Sequence, residues 1–330
     1  MAILVTGGAG YIGSHTALFL REKGEEVIIL DNLQKGHAKA VLDATFYKGD
    51  LSNESILDEI FTKHTIDSVV HFAANSLVGE SVEKPLEYYE NNVLGSYTLV
   101  KKMVEHGVKK IVFSSTAATY GEPKSIPILE DDPTVPTNPY GETKLAIEKM
   151  LKWSDQAYGL KSVCLRYFNA AGADPSGRLG EDHEPETHLI PIVLQVALGK
   201  RDSIKIFGDD YPTGDGSCVR DYIHVMDLAE AHYLALKKLE TTKESGIYNL
   251  GNGKGFSVKE VIEVCRKITK KDIPAVIVPR RPGDPAVLIA SSNKAQQQLG
   301  WFPRYADLEE IITHAWNWHQ TNPNGYSEEK

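Results

Sequence analysis

The stretch AILVTGGAGYIGSH, residues 2–15, decides the fold. It opens with a short apolar run typical of a buried strand, and an amphipathic run that predicts a helix over residues 11–23 follows. Gly7, Gly10 and Gly13 connect the two. Glycine at these positions permits a tight turn and lets main-chain N–H groups approach a diphosphate at the helix N-terminus. A glycine triplet alone is also compatible with an ordinary turn. Further features of the sequence are therefore needed to distinguish a diphosphate-binding turn from it.

The alternation of strand and helix continues through the first half of the chain. Further strands are predicted at residues 27–30, 45–48, 68–72, 110–115 and 162–167, and helices at 54–64, 85–106 and 139–158. This rhythm predicts an α/β fold with a Rossmann-type, doubly wound parallel sheet.

The regular alternation of strand and helix ends after residue 168, and residues 169–187 are rich in Pro, Gly, Asp and His. Helices are predicted at 189–198, 227–239, 258–268 and 308–319, strands at 204–207, 248–250 and 275–278, and a loose polar tail from residue 321. We expect a cofactor-binding domain, residues 1–168, and a smaller mixed α/β C-terminal substrate lobe, residues 169–330. Parts of the second half, such as 226–250, are expected to pack back on the first domain.

An acidic side chain ends the second predicted strand. Asp31 closes VIILD, eighteen residues after Gly13. A carboxylate there accepts hydrogen bonds from ribose hydroxyls and repels a 2′-phosphate, so it favours NAD over NADP. Asp50, in KGDL after the third strand, is a candidate for the adenine edge, or else a helix cap or turn residue. His71, in HFAA, is interpreted as a packed strand histidine.

Bulk composition limits the function classes. The 330 residues are 42% hydrophobic with a net charge of −9 and no basic block, which argues against nucleic acid as a general partner. Cys164, Cys218 and Cys265 form no CxxC pair, so neither a metal site nor a disulfide framework is expected, and a reducing cytoplasm fits. The N-terminus does not resemble a signal peptide, and no apolar run approaches the roughly 20 residues that span a bilayer.

The stretch NPYGETK, residues 138–144, contains a candidate base. A free tyrosine has a pKa near 10, and a cation beside its oxygen would lower it. The Tyr-x-x-x-Lys spacing is not specific, because five of the fifteen tyrosines have it: Tyr97/Lys101, Tyr120/Lys124, Tyr140/Lys144, Tyr233/Lys237 and Tyr326/Lys330.

Position in the predicted fold selects one pair. The fifth strand delivers Ser114, Ser115 and Thr116 to the carboxyl edge of the sheet, where ligands of open α/β sheets bind. The next helix begins at Pro139, with Asn138 as its N-cap. Its first turn carries the tyrosine of NPYGETK, and the lysine of that pair follows one turn later.

These motifs together resemble the extended short-chain dehydrogenase/reductase family. Within it, several stretches resemble the UDP-glucose 4-epimerases: GESVEKPLEYYENNVLGS (79–96), LRYFNAAGADPSG (165–177), IFGDDYPTGDGSCVRDYIHVMDLA (206–229), YNLGNG (248–253), RRPGD (280–284) and WNWHQTNPNGY (316–326). The resemblance runs nearly end to end.

The resemblance implies NAD as cofactor, a UDP-sugar substrate, and a homodimer formed through helices of the cofactor domain. Tyr140 would remove the proton of the sugar 4-hydroxyl while C4 gives up a hydride. Lys144, with the nicotinamide charge, would lower the pKa of the tyrosine and would hold the nicotinamide ribose. The 4-keto sugar would turn over and be reduced on its other face, interconverting UDP-glucose and UDP-galactose.

The same resemblance implies a set of site residues. The catalytic group is Tyr140, Lys144 and Thr116. The cofactor group is Gly7, Gly10, Tyr11, Ile12, Gly13, Asp31, Asn32, Asp50, Leu51, Phe72, Ala73, Ala74, Asn91, Ser114, Tyr140, Lys144, Tyr167 and Phe168. The substrate group is Thr116, Tyr140, Asn169, Leu189, Phe207, Arg220, Tyr222, Arg281 and Asp284. Both arginines match pyrophosphate-binding positions, Asp284 matches a ribose contact, and the two aromatic residues would wall the uracil or belong to the core.

Departures from the family pattern bear on chemistry and specificity. Thr116 stands where serine is typical and keeps the hydroxyl. Ala117 and Ala118 replace the Asp-Glu pair of related 4,6-dehydratases, which argues against dehydration. His188 replaces an asparagine and is assigned no catalysis.

Two further departures concern the sugar pocket. Ser76 lies where some members carry a lysine, and Leu288 where some carry a tyrosine. The smaller leucine suggests tolerance of N-acetylated sugars, so a 4-epimerase of another UDP-sugar, such as UDP-GlcNAc/UDP-GalNAc, is the alternative function. A binding module that has lost catalysis is the alternative of another class.

Overall fold

The computed structural model describes residues 1–281 and 284–326. Its strands are β1 (Ala2–Thr6), β2 (Glu26–Asp31), β3 (Thr45–Lys48), β4 (Ile66–His71), β5 (Lys110–Thr116), β6 (Lys161–Tyr167), β7 (Asn169–Ala171), β8 (Ile204–Phe207), β9 (Val219–Arg220), β10 (Tyr222–His224), β11 (Gly246–Leu250), β12 (Phe256–Ser257), β13 (Ala275–Val278) and β14 (Val287–Leu288). Its helices are α1 (Tyr11–Glu22), α2 (Glu54–Lys63), α3 (Val78–Glu83), α4 (Pro85–Tyr88), α5 (Gly95–Glu105), α6 (Pro139–Tyr158), α7 (Leu189–Ala197), α8 (Val225–Thr241), α9 (Val258–Thr269), α10 (Asn293–Leu299) and α11 (Leu308–Thr321).

A seven-stranded parallel sheet organises the first half, in the order β11-β6-β5-β4-β1-β2-β3. The direction of strand progression reverses between β1 and β4, and such a switch point leaves a crevice at the carboxyl edge where ligands bind. The predicted doubly wound parallel sheet is therefore confirmed.

Both faces of the sheet are buried, as expected when helices cover a parallel sheet on each side. Strand β1 shows this directly, because Ile3 and Val5 enter one apolar cluster with residues of α1 and α8. The alternate residues Ala2 and Leu4 enter the opposite cluster, with residues of α2, α5 and α6. The alternation of side chains along the strand thus divides its residues between two cores.

The second half of the chain contributes to both halves of the fold. Strand β11 pairs in parallel with β6 and extends the main sheet, while α8 packs against α1. A separate core forms around α7, α9 and α11, bounded by short sheets, whereas α10 packs in the core of the first half.

Several local predictions differ from the structure. The helix predicted over residues 85–106 is a continuous helical run whose middle, Tyr89–Leu94, is π-helical. Helices α3 and α10 and the two- and three-residue strands were not predicted, because such short elements carry little periodicity.

The prediction of a loose tail from residue 321 is wrong as far as Tyr326. Its hydroxyl accepts a hydrogen bond from Gly180 N at 2.9 Å and lies 3.1 Å from the Gly180 carbonyl oxygen. Its ring stacks on His37 and packs against Trp318. A single aromatic ring can bury enough surface to anchor such a segment to the protein. The average polarity of the tail, on which the prediction was based, does not reveal this.

Candidate active site

The glycine turn between β1 and α1 is closely packed. A Cβ atom on Gly7 would lie 2.5 Å from Ala73 N, and one on Gly13 would lie 2.1 Å from Gly7 O. Gly7 also has a positive φ of 73°, which favours glycine. At Gly10 a Cβ would meet only Gly7 O, at 3.4 Å. Larger residues at the first and third positions would therefore fill the turn.

The start of α1 presents main-chain donors at this turn. Its N-cap, Gly10, contributes no side-chain cap, and its first turn has no acidic residue. Tyr11 and Ile12 begin the helix, and the Tyr11 hydroxyl donates to Gly172 O at 2.7 Å. A helix N-terminus with these properties suits an anion such as a diphosphate.

Asp31 is held at the end of β2 by the backbone. Its carboxylate accepts hydrogen bonds from Ala9 N at 3.0 Å and Leu33 N at 2.8 Å. Burial raises its pKa, and these two donors oppose the rise. The carboxylate thus lies directly beside the glycine turn, where the sequence predicted the ribose contact.

Asn32 and Asp50 are joined across two strand ends. The amide nitrogen of Asn32 donates to Asp50 Oδ2 at 2.8 Å, and Ser52 N donates to Asp50 Oδ1 at 2.8 Å. Burial acts to raise the pKa of Asp50, but the hydrogen bonds from Ser52 and Asn32 lower it overall. Leu51, the next residue, is buried in the core. Asp50 is both a turn residue and a neighbour of the predicted ribose site.

The end of β4 lies against the glycine turn. Phe72 N and Ala73 N both donate to Thr6 O, at 2.9 and 3.1 Å, and Ala74 continues this half-buried edge. His71 is buried between Thr6 and Ser96, and desolvation lowers its pKa to about 3. It is therefore a neutral packed histidine, as predicted.

Tyr140 and Thr116 meet where β5 faces α6. Helix α6 starts at Pro139, and the side chain of Asn138 accepts from Gly141 N at 2.9 Å, so the predicted cap and helix bounds are confirmed. Burial raises the pKa of Tyr140 above its usual value, and the side chain of Thr116 opposes the rise. The strand-end hydroxyl is therefore a neighbour that acts on the phenol.

Lys144 lies one turn along α6 and is 3% exposed. Its Nζ donates to Ser114 O at 2.8 Å and lies 6.0 Å from the centre of the Tyr140 ring. Burial lowers the pKa of Lys144 to about 7, opposed by the carboxylate of Glu148. In the protein alone the hydroxyl of Thr116, rather than this ammonium group, is therefore the neighbour that lowers the tyrosine pKa.

Three of the other four Tyr-x-x-x-Lys pairs, those that lie wholly within the described residues, lack this environment. Tyr97 is 53% exposed. The Tyr120 hydroxyl donates to Asn249 Oδ1 at 2.7 Å, and the Lys237 ammonium lies over the Tyr233 ring at 5.3 Å. The fifth pair ends at Lys330, which lies outside the described residues.

Strand β6 completes the cofactor edge. Its last residue, Tyr167, pairs in register with Thr116, and its hydroxyl hydrogen-bonds the side chain of Ser114. Phe168 follows at a half-buried position. The residues predicted from the fifth and sixth strands thus form one connected group.

The predicted substrate residues form three contacts in the second lobe. Arg220 forms an ion pair with Asp284. The guanidinium of Arg281 lies 3.9 Å from the centre of the Phe207 ring. Asn169 pairs with Tyr222 between β7 and β10, and the backbone N–H of Asn169 donates to Asp221 O at 3.1 Å.

The burial of two other predicted substrate residues, Tyr222 and Leu189, bears on their roles. Tyr222 is 4% exposed within the lobe's core, which supports packing among its two predicted alternatives. Leu189 is half-buried at the start of α7. Pro282 and Gly283 of the RRPGD stretch lie outside the described residues.

A buried ion pair supports the catalytic helix and was not predicted. Glu148, one turn beyond Lys144, accepts from Arg166 Nε at 2.9 Å and from Ser115 Oγ at 2.5 Å. The helical spacing of residues 140, 144 and 148 could be seen in the sequence, but nothing there indicated that Arg166 on β6 would pair with Glu148.

Asn92 is the second missed residue. It is fully buried on the π-helical segment; its amide donates to Thr143 Oγ1 at 3.0 Å, and its oxygen accepts from Asn75 N at 2.8 Å. The predicted Asn91 donates to the same oxygen at 2.9 Å. Asn92 therefore fixes the first turn of α6 against the loop after β4, and a polar residue in a helical run was the only signal for it.

These observations fit a dinucleotide. The glycine turn has no room for side chains at two positions, the start of α1 offers uncapped donors, and Asp31 lies beside the turn. No helix among the described residues is long and apolar enough to cross a membrane.

Residues 3–251 match the model of the NAD dependent epimerase/dehydratase family, so the chain belongs to that family. Over 329 residues it is 73% identical to a UDP-glucose 4-epimerase of Halalkalibacterium halodurans, covering 100% of this chain and 98% of the relative.

Two solved structures show the same similarity. A crystal structure of a UDP-glucose 4-epimerase matches with a TM-score of 0.98 at 58% identity, covering 99% of this chain and 100% of that one. Another, from Bifidobacterium longum in complex with NAD⁺ and UDP, matches with a TM-score of 0.93 at 43% identity, covering 98% and 100%. The predicted family, fold and NAD cofactor are confirmed.

Proposed function

We propose that this chain is an isomerase of carbohydrate metabolism, an NAD-dependent 4-epimerase that interconverts UDP-glucose and UDP-galactose through a transient 4-keto sugar. The observation that carries the proposal is the burial of Tyr140 beside Thr116, whose hydroxyl acts to lower the tyrosine pKa, with Lys144 one helical turn away. Base, hydroxyl and lysine lie at the carboxyl edge of the sheet, the same edge that carries the glycine turn.

Bound NAD⁺ would supply the redox chemistry, accepting a hydride from sugar C4 and returning it to the opposite face. The glycine turn and the start of α1 would hold its diphosphate, and Asp31 its adenosine ribose. Phe72, Ala73, Ala74, Ser114, Tyr167 and Phe168 would line its nicotinamide half.

Tyr140 would exchange the proton of the sugar 4-hydroxyl. In the protein alone burial raises the pKa of this phenol above its usual value, against the opposing effect of Thr116. The positive charges of Lys144 and of the bound nicotinamide would have to lower it for the phenol to act as a base. An enzyme that returns the proton to the other epimer needs a base whose pKa lies near the working pH. Thr116 would hold the phenol and the sugar hydroxyl in line.

Lys144 would position the site. Its bond to Ser114 O anchors α6 on β5, and its positive charge, when present, would favour the phenolate form of Tyr140. As a donor it would also hold the nicotinamide ribose.

The second lobe would bind the UDP part of the substrate. Arg220 and Arg281 are the cations for its diphosphate, and Asp284, already paired with one of them, would accept from the uridine ribose. Phe207 offers an aromatic face for the uracil, and Asn169 and Leu189 border the nucleotide. We assign residues 1–168 to cofactor binding and 169–330 to the UDP-sugar, with α8 and β11 packed on the first domain.

Epimerisation of N-acetylated UDP-sugars is the second candidate function. Leu288 on β14 pairs in register with Arg220 on β9, which puts the leucine beside a predicted diphosphate ligand. A leucine there is smaller than the tyrosine of some family members and leaves room for an acetamido group.

The experiment is an NMR assay of the purified protein with UDP-galactose, UDP-glucose, UDP-GalNAc and UDP-GlcNAc, without added nicotinamide nucleotide. We expect UDP-galactose and UDP-glucose to reach equilibrium. Interconversion of the N-acetylated pair alone would overturn the main proposal in favour of the second. A protein that binds NAD⁺ but converts none of the four would instead be a binding module.

We also propose a homodimer. Exposed apolar side chains gather on the outer helices of the first domain: Leu86 at 81%, Leu94 at 48%, Tyr97 at 53% and Trp153 at 66% exposure. Such clustering on neighbouring helices is typical of a subunit interface. Light scattering should give twice the chain mass, and a monomer at all concentrations would contradict it. The three buried free cysteines support a cytoplasmic location.

A further inference from the structure

Four side chains of the loop between β7 and α7 converge on one point. The potential ligand atoms of Glu181, His183, Glu186 and His188 all lie within 4.8 Å of one another. Both carboxylates are buried, and the two imidazoles are partly buried. None of these residues belongs to the catalytic group described above.

The separations within this four-residue cluster resemble those between ligands of a metal ion. His188 Nδ1 lies 3.0 Å from Glu181 Oε1, and His183 Nδ1 lies 3.3 Å from Glu181 Oε1 and 3.5 Å from Glu186 Oε2. Ligand atoms about 2.0–2.2 Å from a tetrahedral Zn²⁺ ion are about 3.3–3.6 Å apart. Three of the separations are therefore close to the edges of such a tetrahedron, and all of them lie within 4.8 Å.

Two of the converging atoms lack a hydrogen bond. Glu181 Oε1 and His183 Nδ1 are buried and form no hydrogen bond of acceptable geometry among the described residues, although they lie 3.3 Å apart and Glu181 Oε1 also lies 3.0 Å from His188 Nδ1. The Glu181 side chain is only 4% exposed. A buried carboxylate oxygen without a hydrogen bond is costly unless a cation satisfies it.

The other carboxylate is already oriented. Glu186 Oε1 accepts from the backbone N–H groups of Thr187 and His188, each at 2.8 Å, and contacts His188 Nδ1 at 3.0 Å. Its Oε2 is thereby directed toward His183. Outer hydrogen bonds that orient ligating carboxylates are a regular feature of metal sites.

We propose that Glu181, His183, Glu186 and His188 bind a structural Zn²⁺ ion. Two imidazole nitrogens and two carboxylate oxygens form a ligand set that suits zinc, and four protein ligands leave no open position for catalysis. The cysteine pattern, from which no metal site was expected, carries no information about a site made of histidine and glutamate.

The position of the ion explains what it would do. The His183 ring packs edge-on against Tyr11 at 6.2 Å, at the start of the cofactor helix. His188 immediately precedes Leu189, a predicted nucleotide contact. The ion would therefore hold in place the loop between β7 and α7, which packs against the start of α1 and leads into the substrate lobe.

The alternative is a buried ion-pair network without metal. Burial acts to lower the pKa of both imidazoles, but the two carboxylates raise that of His183 to about 9 and that of His188 to about 10. In that network both histidines would be protonated at neutral pH.

The test uses untagged full-length protein, dialysed against a chelator and then against Zn²⁺. We expect one equivalent of zinc by mass spectrometry of the metal content, and visible absorption of tetrahedral Co²⁺ when cobalt replaces it. Zn²⁺, and not Mg²⁺, should raise the unfolding temperature.

The double variant H183Q/H188Q should lose the bound equivalent and the cobalt bands, whereas the matched variant H64Q/H106Q should keep both. If H183Q/H188Q does not fold, the Co²⁺ spectrum of the wild-type protein still decides. Binding of less than 0.1 equivalent by the wild-type protein, or equal zinc binding by both double variants, would overturn the proposal and leave the ion-pair network.

Discussion

The ammonium group of Lys144 donates a hydrogen bond to the backbone carbonyl oxygen of Ser114 at 2.8 Å. This bond connects the second turn of α6 to β5, two residues before the strand ends at Thr116. Because helix and strand are fastened there, the first turn of α6 brings Tyr140 against the hydroxyl of Thr116. In the protein alone the lysine therefore acts on the candidate base through position.

Removing the hydroxyl of Thr116 should change the pH dependence of epimerisation. Thr116 lowers the pKa of Tyr140 against the effect of burial, so Thr116→Val should raise that pKa. Because the deprotonated phenol is the proposed base, the acidic limb of the kcat profile should move to higher pH, and kcat at pH 7 should fall about tenfold or more.

Thr116→Ser is the matched control, since it keeps the hydroxyl and should keep the wild-type profile. The NMR assay from pH 5.5 to 9.5 measures both variants. If valine and serine at this position give the same acidic limb, the hydroxyl does not set the pKa of Tyr140.

Burial of Lys144 should make stability depend on pH. Its pKa is about 7 in the folded protein and about 10.4 in an unfolded chain. Between these values the unfolded chain binds more protons, so the contribution of this lysine to the free energy of unfolding rises with pH. The stability of Lys144→Met minus that of wild type should be largest below pH 7 and should fall toward pH 10, by up to about 1.4 kcal/mol per pH unit.

Urea unfolding of nucleotide-free protein at pH 6, 7.5 and 9 checks this expectation. Lys149→Met, an exposed lysine on the same helix, is the control and should show no such trend. A difference for Lys144→Met that stays constant with pH would mean that the lysine is protonated throughout.

The buried pair of Glu148 and Arg166 should be strongly coupled. Both side chains are 4% exposed, so Glu148→Gln leaves an unpaired buried guanidinium and should cost about 3–5 kcal/mol. The double variant E148Q/R166M should be much less destabilised than the sum of the two single variants. Urea unfolding of the four proteins gives the coupling energy, and additive effects would show that the two charges do not depend on each other.

Leu288→Tyr should narrow the sugar specificity. The larger ring beside Arg220 should lower turnover of UDP-GalNAc at least tenfold relative to UDP-galactose, while Leu288→Met should leave the ratio unchanged. Competition between the two substrates in one NMR sample measures the ratio directly. If wild-type protein shows no UDP-GalNAc turnover, the tolerance proposed from Leu288 is wrong.

The parallel sheet and the start of α6 were predictable because their signals are local. Apolar runs, the glycine turn and the Asn138-Pro139 cap each act within a few residues, and α6 and β3 have the predicted bounds. The pairing of Arg166 with Glu148 was not predictable, because it joins β6 to α6. Whether those two elements touch depends on the order of the strands in the sheet.

The cluster of Glu181, His183, Glu186 and His188 was hidden for a different reason. It lies in a loop without periodicity, and only the folded path of the backbone brings its ligand atoms within 4.8 Å. The sequence predicted two neighbours of Tyr140, a hydroxyl from the fifth strand and a lysine one helical turn away; in the structure Thr116 acts on the tyrosine pKa, whereas Lys144 Nζ lies 6.0 Å from the centre of the tyrosine ring. Side-chain reach and burial, which spacing does not encode, made that difference.

The most direct test of the proposed chemistry is the single-turnover and steady-state rate of Tyr140→Phe with UDP-galactose, alongside UDP binding by calorimetry. Loss of one hydroxyl removes the base without disturbing the arginines of the second lobe, so kcat should fall by about 10²–10⁴-fold while the affinity for UDP stays within twofold. A Tyr140→Phe protein that epimerises UDP-galactose at a near-wild-type rate would contradict the assignment of Tyr140 as the base.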